Sequence, residues 1–124
     1  MFDETDLIYE YTPQQAVDDG VYVDCREEPW RDVTAQHLGP TLPVYMTQGV
    51  YGLIEEAVQQ GRQDPKGIWH DILSVALGLG SRPLPENEAV RVPVRIGRRS
   101  ADLRIRLSGS RSDGYVTVYL PEED

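Results

Sequence analysis

The sequence predicts an α+β fold. It consists of a three-stranded antiparallel β-meander, open to extension by one short N-terminal strand, with three to four helices packed on one face. Three observations carry this expectation. Residues 89–97, 101–108 and 114–120 alternate apolar and polar side chains with period two. Turn-forming residues separate these runs. Upstream, apolar residues recur at helical spacing behind recognisable caps.

Taken in order, Thr12-Pro13 is a helix start, with threonine as N-cap and proline at the first helical position. A short helix follows over 14–19, and Gly20 suits its C′ position. Val21-Tyr22-Val23-Asp24 is the short N-terminal strand. A helix over 29–38 ends at Gly39-Pro40. Thr47 caps a helix reaching Gln60, with Val50, Ile54, Ala57 and Val58 on one side and Glu55, Glu56, Gln59 and Gln60 on the other. Asp64-Pro65 opens the next helix, which is apolar around most of its circumference and so suits burial between layers.

In the meander, Val92, Val94 and Ile96 face one way and Arg91, Pro93 and Arg95 the other. Leu103, Ile105 and Leu107 alternate with Asp102, Arg104 and Arg106, and Val116, Val118 and Leu120 with Tyr115, Thr117 and Tyr119. One face is aliphatic and must be covered. Pro93 has no N–H to give a ladder, so the first strand belongs at a sheet edge.

The chain of 124 residues is expected to form a single domain over 1–124. Its parts are an acidic helix–strand unit (1–24), a helical layer (29–80) and the meander (89–120). The single cysteine, Cys25, rules out an internal disulfide. The acidic start and the lack of a long apolar run predict a cytoplasmic protein without membrane association. Net charge is −9, unevenly spread. Residues 1–28 carry nine acids against Arg26 alone, whereas residues 89–121 carry seven arginines and two acids.

The run Asp6-Leu7-Ile8-Tyr9-Glu10-Tyr11-Thr12, the pair Gln15-Ala16 and Asp19-Gly20-Val21 resemble the N-terminal signature of a family of small uncharacterised proteins encoded on plasmids, phages and other mobile elements. The segments 42–51, 69–73 and 116–121 resemble later parts of the same pattern. The chain departs from it in Tyr51, where tryptophan is usual, and in His70 between Trp69 and Asp71. The resemblance implies a genetic context and transfers no activity, ligand or catalytic residue.

Three functional readings follow. The first is a non-enzymatic accessory protein that binds a host protein as a monomer or homodimer. Its acidic surface of Asp3, Glu4, Asp6, Asp18, Asp19, Glu27 and Glu28 would meet a basic partner, such as the nucleic-acid groove of a host defence complex, and so inhibit a nucleic-acid-targeting defence system. The second is a regulatory nucleic-acid-binding module. Arg91, Arg95, Arg104 and Arg106 share one sheet face with Tyr115 and Tyr119, which pairs phosphate contacts with stacking surfaces. The third is a small hydrolase using Cys25 with His37 or His70. No cofactor or metal is expected, because no motif has metal-ligand spacing.

Overall fold

The computed structural model describes residues 12–61, 64–78 and 83–123. The run begins with a reciprocal cap. The Thr12 hydroxyl accepts from the Gln15 N–H (3.1 Å), and the Gln15 side chain accepts from the Thr12 N–H (2.7 Å). This starts α1 (Pro13–Asp18), followed by β1 (Tyr22–Asp24), α2 (Arg31–Leu38), β2 (Val44–Thr47), α3 (Gln48–Gln59) and α4 (Pro65–Leu77). Then come β3 (Ala89–Ile96), β4 (Arg99–Ser108), β5 (Tyr115–Tyr119) and a 3₁₀ turn over Pro121–Glu123.

The α+β class stands, but the sheet is not a three-stranded meander. It has five strands in the order β1-β2-β5-β4-β3. β3–β4 and β4–β5 pair antiparallel. β2 pairs parallel with β5 and antiparallel with β1, which makes the sheet mixed. β2 escaped periodicity because all four of its residues are buried, those facing the helices and those facing outward alike. A strand covered on both sides shows no polar alternation. β3 is an edge strand, as Pro93 requires.

Local signals place the helix ends. Asp64 accepts from the Gly67 N–H at 2.7 Å to cap α4, and Gly78 ends that helix in the left-handed region at φ 65°. The Gly97-Arg98 turn closes β3 onto β4, with Ile96 opposite Arg99.

The core lies between the sheet and the helices. Val92, Leu103, Ile105, Val116, Val118, Val44 and Met46 form one buried cluster with Val50 and Ile54 of α3 and with Ile68, Trp69, Ile72 and Leu73 of α4. Each such side chain contributes about 1.5–3 kcal/mol by leaving water. The buried Trp69 Nε1–H donates to the Thr34 hydroxyl at 2.8 Å, tying α4 to α2. No helix among the described residues is long and apolar enough to cross a membrane.

Candidate binding face of the sheet

Strand parity sends one set of side chains away from this core, and register lines them up in rows. One row runs Asp24, Tyr45, Thr117, Arg106 and Ala89 across all five strands. Elsewhere on the same face Arg91 lies opposite Arg104, Arg104 opposite Tyr119, and Tyr22 opposite Thr47. The predicted set of Arg91, Arg95, Arg104, Arg106, Tyr115 and Tyr119 therefore does share one face.

The structure divides that set into parts. Asp102 accepts from Arg91 at 2.9 Å and from Arg104 at 3.1 Å, so these two guanidiniums are already engaged. The Arg91 hydrogen bond, with the charges of both arginines, holds the Asp102 carboxyl below its ordinary pKa. Arg95 and Arg106 make no ion pair among the described residues. Tyr119 is buried at 6 % exposure, unlike the open platform expected of it, while Tyr115 is half-buried.

Sequence reasoning missed the aromatic half of the site that β1 and β2 supply. Tyr22 stacks on Tyr45 with ring centroids 5.5 Å apart, and Tyr115 meets Tyr45 edge-on at 6.0 Å. Tyr45 is buried between them, which raises its phenol pKa. The only sequence signal for this cluster is the parity of Tyr22 and Tyr45, and it becomes usable once both strands are known.

Beside the cluster lies a cavity of about 610 Å³, lined by residues including Tyr22, Thr47, Arg106, Tyr115, Thr117, Tyr119 and Glu123. Glu123 of the 3₁₀ turn is among its lining residues. Glu123 Oε1 accepts from the Thr47 hydroxyl at 2.7 Å and from the Leu120 N–H at 2.8 Å.

The other candidates lie elsewhere. Asp3, Glu4 and Asp6 are outside the described residues. Asp18 and Asp19 are exposed at the end of α1, and Asp18 accepts from Gln14 at 3.0 Å. Glu27 is exposed, and Glu28 pairs with Arg31. Cys25 is fully buried, and its thiol donates to the Val23 carbonyl at 3.6 Å. Burial, with Asp24 adding to it, pushes the thiol pKa well above its ordinary value. Both effects oppose the thiolate that nucleophilic chemistry needs.

His37 and His70 instead face each other, Nε2 to Nδ1 at 2.9 Å, with Ser74 Oγ 3.4 Å from the second ring nitrogen of His70. Ser74 sits within α4, where the helix's own backbone N–H groups are spent on its hydrogen-bond ladder and do not serve as oxyanion donors. Among the described residues, no group of three or more His, Cys, Asp or Glu is placed to hold a metal ion. In comparisons of the chain with protein-family models, curated proteins and solved structures, nothing matches.

Proposed function

We propose that this chain is a non-enzymatic binding module for single-stranded nucleic acid, and that the outer sheet face is its working surface. The supporting observation is the coexistence on one face of Arg95 and Arg106, without ion pairs among the described residues, and the half-buried rings of Tyr22 and Tyr115. Guanidinium groups hold phosphates while tyrosine rings accept bases of any identity. The overall charge of −9 opposes long-range attraction of a polyanion. Affinity therefore comes from short-range contacts on this face, and salt weakens it.

The test is anisotropy of a labelled single-stranded oligonucleotide with the full chain at low and moderate salt. Wild type binds in a salt-sensitive manner, and Arg95→Glu with Arg106→Glu abolishes binding. Arg104→Glu alone has the smaller effect because Asp102 already occupies that guanidinium. Asp102→Asn releases Arg91 and Arg104 and strengthens binding. Absence of any salt-sensitive binding by wild type defeats the reading.

A second reading, an acidic surface that captures a host protein, keeps one supporting observation. Asp18 and Asp19 are exposed at the C-terminal end of α1, and Glu27 is exposed as well, so this part of the acidic set is open to a partner. Lysine replacement of both, with no loss of a stoichiometric partner captured from host lysate, removes this reading.

A further inference from the structure

Among the described residues, one buried side-chain polar atom lacks a hydrogen-bond partner: the Tyr119 hydroxyl. Burial without a partner is costly, and natural folds rarely leave a polar group that way. Phenylalanine would fill the same space on β5 without that cost. An ordered water, or a ligand group entering from the adjoining cavity, would supply the partner that the phenol lacks.

Tyr119 lines the cavity beside the tyrosine cluster, and the surroundings specify what fits there. The volume of about 610 Å³ falls within the range of small-molecule sites, about 300–1,000 Å³. Tyr22 and Tyr115 contribute flat apolar walls suited to a planar ring. Arg106 brings a guanidinium with no carboxylate partner among the described residues, and the hydroxyl of its cross-strand neighbour Thr117 adds a short hydrogen-bonding group. Glu123 Oε1 is held by Thr47 at the end of β2 and by the Leu120 N–H, whereas Arg106 extends from β4, with β5 lying between those two strands. Anionic ligand groups are thereby directed to the Arg106 side.

We infer that this cavity takes one unstacked nucleotide, its base among Tyr22, Tyr115 and Tyr119 with the Tyr119 hydroxyl bonded to a base edge, and its phosphate on Arg106. The inference rests on the nucleic-acid reading and deepens it. It assigns the grip on the strand to a single inserted nucleotide, with Arg95 at the far end of β3 holding the backbone beyond it. A free mononucleotide offers the same chemistry as a nucleotide within a strand.

The experiment titrates the full chain with the four 5′-ribonucleoside monophosphates, the matching nucleosides and a short single-stranded oligonucleotide. Calorimetry gives the affinities, and thermal melting is recorded in parallel. At least one monophosphate is expected to bind saturably and more tightly than its nucleoside, a difference that Arg106→Gln removes. Tyr119→Phe is expected to weaken the monophosphate about fivefold, the size of one hydrogen bond, while the melting temperature of the free protein stays level or rises. A purely structural tyrosine would not combine those two effects.

If the oligonucleotide binds but no monophosphate does, the cavity inference is overturned and the strand reading survives. If a monophosphate binds but the oligonucleotide does not, the cavity inference stands as a free-nucleotide site and the strand reading falls. Unchanged monophosphate affinity in Tyr119→Phe overturns the role of the hydroxyl, and no binding of either ligand overturns both.

Discussion

The Thr47 hydroxyl donates to Glu123 Oε1 at 2.7 Å and also accepts from the Val50 N–H at 3.4 Å. One side chain thus caps α3 and fastens the C-terminal turn across 76 positions of sequence. Gly49 makes the close approach possible. A Cβ there would lie 2.5 Å from Glu123 Oε2 and 2.8 Å from Leu120 Cδ1.

This junction gives a graded set of stabilities. Glu123→Ala is expected to cost about 1–2 kcal/mol, and Thr47→Val about 2–3 kcal/mol because the cap goes with the fastening. Gly49→Ala costs about 1–3 kcal/mol through overpacking. Part of that penalty vanishes when Glu123→Ala removes the colliding carboxylate. Urea denaturation of the single and double variants measures the coupling, and strict additivity would refute the contact.

A second prediction concerns the link between α2 and α4. Thr34→Val keeps the volume but leaves the buried Trp69 Nε1–H without its acceptor. The expected loss is about 1–3 kcal/mol by denaturant unfolding, with the fold retained. A loss within a few tenths of a kcal/mol would mean that the pair contributes little.

The His37–His70 contact makes stability depend on pH. Burial, and then the neighbouring His70, lower the His37 pKa from its ordinary 6.5. Below pH 6.5 the unfolded chain therefore binds the proton more readily than the folded one. The stabilisation is fully present above pH 6.5 and is lost as pH falls through the lower folded value. Thermal melts across this range should show a decline that His37→Gln flattens, and a parallel decline in the variant would assign it to other groups.

Cys25 should resist alkylation in the native protein near neutral pH and react readily once urea unfolds the chain. The cause is complete burial combined with a raised thiol pKa. Rapid native alkylation, followed by mass spectrometry, would return Cys25 to consideration as a nucleophile.

Much of the molecule is legible in local chemistry. Thr12, Thr47 and Asp64 announce their helices because capping is a contact over three residues. Val92, Leu103, Ile105 and Val118 declare the aliphatic face because strand side chains alternate. The same alternation puts Arg91, Arg95, Arg104, Arg106, Tyr115 and Tyr119 together on the opposite face. Pro93 points to the sheet edge through its missing N–H.

What tertiary structure alone decided is every relationship between distant segments. The insertion of β2 between β1 and β5, parallel to β5, follows from no periodicity, since Val44–Thr47 is buried on both sides. That insertion brings Tyr22 and Tyr45 to Tyr115 and completes a cavity that half of the predicted face could not form. The meetings of His37 with His70 and of Thr47 with Glu123 are of the same kind. Periodicity and capping report what a residue does to its own turn or strand. Strand order and side-chain pairing are set by which packing of the whole chain buries the most apolar surface while satisfying its polar groups.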